Sequence, residues 1–97
     1  NIHIYSYVYY YNIILIMSSD IDILKKRIIF RASHRGSKEM DMLMKSFTES
    51  IIDNLNPNEL KILDKLVDLN DEDLLKIKTN KSTKDKIYKL FVDYNFK

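Results

Sequence analysis

The stretch RASHRGSKEMD, residues 31–41, contains Gly36, the one glycine of this 97-residue chain. Apolar residues recur every three or four positions on both sides of it, as they do along the buried face of a helix. Glycine tolerates the left-handed backbone with which many helices end. The stretch therefore predicts a corner at Gly36, where a first helix ends and a second helix begins.

The two helices that meet at this corner each have an apolar face. The first helix, with Asp20 as its N-cap, has a face made of Ile21, Leu24, Ile28 and Ala32. The face of the second helix is made of Met40, Leu43, Met44, Phe47, Ile51 and Leu55. Met40, Met42 and Met44 alternate along the chain, so only some of them can be core residues, and another could face an adaptable contact surface.

Three more helices are predicted downstream. In Asn56-Pro57-Asn58-Glu59 a capping asparagine, a proline and a glutamate stand in the order that starts a helix. Asn70 is predicted to cap a fourth helix, and Ser82 and Asp85 to open a fifth. Their apolar faces are Leu60, Leu63, Leu66 and Val67; Leu74, Leu75 and Ile77; and Ile87, Leu90, Phe91 and Tyr94. The sequence thus predicts an all-α fold, a compact five-helix bundle spanning residues 17–97.

Residues 1–16 differ from the rest of the chain, with five tyrosines and no Lys, Arg, Asp or Glu. The apolar run from Ile13 to Met17 is too short to span a bilayer, and neither a basic n-region nor a transit-peptide arginine precedes it. We predict that translation begins at Met17 and that this tyrosine-rich head is extraneous or poorly ordered, outside the fold. A membrane-dipping tail is the alternative. The missing transit-peptide pattern favours the bacterial cytoplasm over the mitochondrial matrix.

The composition excludes several kinds of site. Without cysteine the chain has no disulfide, thiolate metal site or cysteine nucleophile, and a single glycine cannot build a glycine-rich phosphate loop. His3 and His34 are the only histidines, too few for a histidine-rich metal site. We therefore predict no metal site, no cofactor site and no catalytic residue, and we expect the protein not to be an enzyme.

Arginine is used sparingly, with three arginines beside thirteen lysines. All three lie on the first helix at four-residue spacing, which places them along one stripe of its surface. A planar guanidinium binds carboxylates through two parallel hydrogen bonds, so the stripe suits a protein contact. A solvated face with ion pairs is the alternative. Together with the corner, the candidate partner-binding residues are Arg27, Arg31, Arg35, Gly36, Glu39 and Asp41.

Two other kinds of chemistry are less favoured. Glu39 and Asp41 point about 200° apart on a helix, so they do not easily form a general acid–base pair. The lysines of residues 74–97, Lys84, Lys86 and Lys89 among them, could bind phosphates in a small regulatory or antitoxin-like protein that binds nucleic acid or another protein. No aromatic residues are interleaved with them as in a nucleic-acid site, which favours a solvated face.

The corner and its surroundings resemble the FAD assembly factor family, the SdhE-type proteins of bacteria, called succinate dehydrogenase assembly factor 2 in mitochondria. The family signature, R-G-x-x-E with an aspartate two residues later, is matched by Arg35, Gly36, Glu39 and Asp41. Other positions also correspond to the family pattern. They are Arg27 before Ile28-Ile29-Phe30, Phe47, Leu55 to Glu59, and Asp71 to Leu74. The chain departs from the family pattern at His34, Thr48 and Ile77, and the last two are interpreted as changes within the core.

The resemblance implies a five-helix bundle that binds the flavoprotein subunit of succinate dehydrogenase or fumarate reductase. It implies that the protein promotes covalent attachment of FAD to that subunit, with no cofactor of its own and without performing the bond chemistry. Arg35 and Glu39 would make charge-assisted contacts to the partner, Gly36 would permit close approach, and Arg27 and Arg31 would extend the footprint. Neither nucleic-acid binding nor stable membrane insertion is expected, and the isolated protein is expected to be a monomer.

Overall fold

A computed structural model describes residues 20–80 and 83–95, which form five α-helices and one short 3-10 helix. Helix α1 covers residues 20–33 of this part of the chain, and the others are α2 (Lys38–Ile51), a 3-10 helix (Ile52–Asn54), α3 (Pro57–Val67), α4 (Asp71–Thr79) and α5 (Lys86–Asp93). These residues contain no β-strand, so the all-α prediction is confirmed. The predictions about residues 1–16, Met17 and Ser82 lie outside the described residues.

Local capping explains where most of these helices begin. Ser37 caps α2 by accepting a hydrogen bond from the backbone N–H of Met40. At α3 the Asn56 side chain accepts from the Glu59 N–H at 2.8 Å while the Glu59 carboxylate accepts from the Asn56 N–H at 3.0 Å. This reciprocal pair is the capping box that the sequence predicts, with Pro57 at the first helical position. Asn70 caps α4 by accepting a hydrogen bond from the Asp73 N–H, and the Asp85 carboxylate caps α5 by accepting from the N–H groups of Ile87 and Tyr88.

The core lies where the apolar faces of the helices meet. Its buried members are Ile28, Ala32, Met44, Phe47, Ile52, Leu60, Leu63, Leu66, Val67, Leu74, Ile87 and Phe91. Helix α5 packs against both α3 and α4, and the Phe91 ring lies 5.2 Å from the Phe47 ring between centroids. Thr48 is fully buried and Ile77 packs against the core, so their interpretation as core positions is confirmed.

Three details differ from the predictions. Leu75 is expected to anchor α4 in the core, but it is 58% exposed. Leu74 is the residue of that helix that is buried. Asp20 is itself helical, so it is not the residue before the helix. Helix α1 ends at residue 33, three residues before Gly36, and the glycine belongs to a bend that leads into α2.

The prediction that only some of the three methionines are core residues is confirmed. Met44 is buried, Met40 packs partly against the core, and Met42 is about half exposed on the outer side of α2. Among the described residues, no helix has the combined length and apolar character needed to cross a bilayer.

Candidate functional site

The corner between α1 and α2 is a bend at residues 35–37. Gly36 has a φ of +106°, a backbone conformation that side chains with a Cβ rarely adopt. A Cβ built at Gly36 would meet no atom within 4 Å, and the residue is exposed. Glycine is therefore required here by the backbone conformation, and the space beside it is open to an approaching molecule.

The Arg35 side chain points inward, with only 8% of its surface exposed. Its Nη1 atom donates to the Val67 carbonyl oxygen at 2.6 Å, and Nη2 donates to the carbonyl oxygen of Leu69. Nε and Nη2 also lie 3.2 Å and 3.0 Å from Oδ1 of Asp71. The guanidinium thus satisfies backbone acceptors at the end of α3 and fastens the connection between α3 and α4 to the corner.

The two carboxylates of α2 have different surroundings. Asp41 is partly buried and accepts a hydrogen bond from the backbone N–H of Arg35, across the corner. Glu39 is exposed, and within the described residues its carboxylate makes no hydrogen bond or ion pair. Asp41 therefore stabilises the bend from inside, whereas Glu39 is presented to solvent beside Gly36.

Arg27 and Arg31 lie along α1 and share one carboxylate on α3. Nη2 of Arg27 is 3.3 Å from Oδ2 of Asp64, and Nη1 of Arg31 is 3.2 Å from Oδ1 of the same residue. Both arginine side chains remain about half exposed, so most of their N–H groups still face solvent. The predicted stripe is only partly present: Arg27 and Arg31 are exposed on α1, whereas Arg35 lies in the bend after the helix and its side chain is buried.

The family model described as Sdh5, flavinator of succinate dehydrogenase, matches residues 26–92. The chain belongs to this family. The matched range includes the whole corner and all six candidate partner-binding residues. No curated protein and no solved structure shows a significant match to the chain.

Sequence reasoning missed one feature of this flavinator family member, the exposure of Phe30. Its ring is 63% exposed and stacks on the His34 imidazole with 4.1 Å between the ring centroids. Nδ1 of His34 lies 2.8 Å from the carbonyl oxygen of Phe30, which fixes the imidazole at the end of α1. The signal was available, because Phe30 lies outside the apolar repeat formed by Ile21, Leu24 and Ile28.

Among the described C-terminal lysines, Lys76, Lys78 and Lys86 make contacts within the chain, whereas Lys84 and Lys89 are exposed. Lys78 donates from Nζ to the carbonyl oxygens of Phe91 at 2.6 Å and of Tyr94, and desolvation lowers the pKa of this amine. Lys86 lies 2.9 Å from the Glu59 carboxylate, and Lys76 pairs with Glu72 at 3.6 Å. Lys78 thus binds backbone carbonyl oxygens near the end of α5, and Lys76 and Lys86 form ion pairs within the chain.

The surface of the described residues includes two depressions. An open groove of about 520 Å³ lies between the outer side of α2 and the end of α5, where it is lined by Met42, Ser46 and Tyr94. A smaller cleft of about 280 Å³ lies between the end of α1 and the connection from α3 to α4, with Phe30, His34 and Leu69 in its walls. The smaller cleft adjoins the Gly36 corner and has room for about one side chain of a partner.

Proposed function

We propose that this protein is a non-enzymatic assembly factor that binds the flavoprotein subunit of succinate dehydrogenase, or of fumarate reductase, and promotes covalent attachment of FAD to it. The match to the flavinator family over residues 26–92 carries this proposal. The protein holds no cofactor of its own and acts as a monomer in the bacterial cytoplasm. The partner's own histidine forms the bond to the flavin.

The corner supports a contact of this kind by displaying two groups to solvent. Gly36 leaves open space beside the backbone, and Glu39 offers a carboxylate with no partner among the described residues. A free carboxylate next to a side-chain-free backbone can form charge-assisted hydrogen bonds with a closely approaching protein. Arg27 and Arg31 extend this contact along α1 with their solvent-facing N–H groups.

Arg35 and Asp41 have a positioning role in this proposal. The buried guanidinium of Arg35 already binds Val67, Leu69 and Asp71, and the Asp41 carboxylate binds the Arg35 backbone. These contacts hold the bend in the shape that exposes Gly36 and Glu39. The family signature thus combines residues that build the corner with residues that meet the partner.

Binding at this corner promotes flavinylation by positioning. A factor that holds the apo-subunit with its flavin and histidine at reacting distance lowers the entropic part of the barrier without taking part in the bond chemistry. A protein that acts in this way needs a rigid contact surface and no nucleophile. The corner at Gly36 offers such a surface.

The test measures binding and flavinylation of the purified apo-flavoprotein subunit. Glu39→Gln and Gly36→Val are expected to abolish binding and to leave the covalent flavin signal near its factor-free level. Glu49→Gln, an exposed glutamate on the same helix, is the matched control and is expected to behave like the wild type. Helical content is checked by circular dichroism in every variant. Wild-type binding by both corner variants would contradict the proposed site.

A further inference from the structure

The outer side of α1 carries Ile23, Arg27 and Phe30, and His34 follows directly after the helix ends; these four residues form a stripe. Because successive residues of a helix are rotated by about 100°, the three helical members lie within about 60° of one another. Ile23 is 60% exposed and Phe30 63% exposed, while the opposite side of α1 places Ile28 and Ala32 in the core. The two exposed apolar residues, Ile23 and Phe30, therefore lie on a side of α1 that is separate from the one that the bundle buries.

The Phe30 ring is ordered before any partner arrives. It stacks on His34, and Nδ1 of His34 lies 2.8 Å from the Phe30 carbonyl oxygen, so each ring restrains the other. A rigid exposed aromatic ring loses little conformational entropy on binding, which is why such rings serve as anchors in interfaces. The cleft of about 280 Å³ beside the two rings provides space for a side chain from the other surface.

The charged side chains along the stripe itself are cationic, while the exposed carboxylate of Asp68 lies in the wall of the neighbouring cleft. Arg27 and Arg31 share the single carboxylate of Asp64, which leaves a surplus positive charge, and Lys26 adds another exposed cation on the same helix. A partner surface that complements this stripe is acidic and contains an apolar pocket. Pairing of the stripe with a second copy would bring the Arg27 and Arg31 cations of both copies into one interface, which disfavours that arrangement.

We infer that this stripe is a docking surface for the flavoprotein subunit, with Phe30 as its central anchor. The face of the subunit that it contacts is acidic and has an apolar pocket. The inference rests on the proposed function and extends its contact from the corner along the whole of α1. His34 directly precedes Arg35 and Gly36 in the chain, so the stripe and the corner form one continuous surface. The partner would cover both at once.

The test is calorimetric titration of the purified apo-flavoprotein subunit of succinate dehydrogenase with the full chain and its variants. Phe30→Ala is expected to raise the Kd at least about tenfold, as loss of an interface anchor does. Phe30→Leu keeps an apolar side chain and is expected to lose less. Leu75→Ala, which truncates an equally exposed apolar residue on α4, is the control and is expected to change the Kd less than about twofold. Arg27→Gln is expected to weaken the salt dependence of binding.

The outcomes separate this inference from the proposed function. If the wild type binds and Phe30→Ala binds equally well, the docking surface is wrong while the assembly function stands. If the wild type binds neither the succinate dehydrogenase subunit nor the corresponding subunit of fumarate reductase, both are wrong. If Phe30→Ala instead dissociates a dimer of the free chain, seen by sedimentation, the stripe joins two copies and the inference is overturned.

Discussion

The Nη2 atom of Arg35 lies 3.0 Å from Oδ1 of Asp71, a residue 36 positions later in the chain. The same guanidinium reaches the carbonyl oxygens of Val67 and Leu69. One side chain therefore fastens the bend after α1 to the end of α3 and the start of α4. The corner that displays Gly36 and Glu39 is held from behind by residues distant in the sequence.

Arg35→Lys is expected to lower the free energy of unfolding by about 2 kcal/mol, because an ammonium cannot reach three acceptors in a fork and leaves buried carbonyl oxygens unsatisfied. Urea denaturation measures the change. Arg27→Lys alters an exposed ion pair and is expected to stay within about 0.5 kcal/mol of the wild type. Equal stability of both variants would mean that the Arg35 contacts do not hold the fold.

Gly36→Ala is expected to lower the free energy of unfolding by about 1–2 kcal/mol, since a φ of +106° strains any residue with a Cβ. No steric clash adds to this, because a Cβ would meet no atom within 4 Å. Gly36→Asn is expected to lose less, as asparagine tolerates positive φ better than alanine. If alanine and asparagine both matched glycine in thermal denaturation, the backbone argument would fail.

Thr48→Val is expected to raise the free energy of unfolding by about 1 kcal/mol. Thr48 is fully buried, and its Oγ1 atom has no hydrogen-bond partner within the described residues. Valine keeps the shape of the side chain and removes the unsatisfied hydroxyl. Thr48→Ser keeps the hydroxyl and loses a methyl group, so it is expected to lower stability by about 1 kcal/mol. Denaturant titration of the two variants measures these changes. A valine variant less stable than the wild type would contradict the expected effect of removing the hydroxyl.

The ion pair with Lys86, followed by the hydrogen bond from the Asn56 N–H, lowers the pKa of Glu59 below its ordinary value of 4.5. The folded state therefore favours the charged carboxylate. The resulting stability is fully present above pH 4.5 and is lost as the pH falls through the lowered pKa. Glu59→Gln is expected to flatten the acid side of the stability profile.

The direct measurement for Glu59 is an NMR titration of its side chain. Lys86→Gln should move the pKa of Glu59 upward while the Asn56 hydrogen bond keeps part of the shift. An unchanged pKa in that variant would show that the ion pair at 2.9 Å has no influence on the carboxylate.

Much of the fold was predictable because its signals are local. The capping box of Asn56 and Glu59 closes within three residues, and the Asn70 cap is equally short in range. The core face of α3 follows from helical spacing alone. The family signature at the corner was also readable in the sequence, because its members lie within seven residues of one another.

The sequence by itself determined the helices, the caps of α3, α4 and α5, most of the core and the position of the Gly36 corner, since each depends on neighbours within one or two helical turns. Only the tertiary structure decided what the arginines do. The position of the bend after α1 beside the connection from α3 to α4 turned Arg35 inward to Asp71, whereas Arg27 on α1 stayed half exposed. It also left Phe30 in solvent. Spacing along one helix places residues on a common side, but contacts between helices determine which of them a partner can reach.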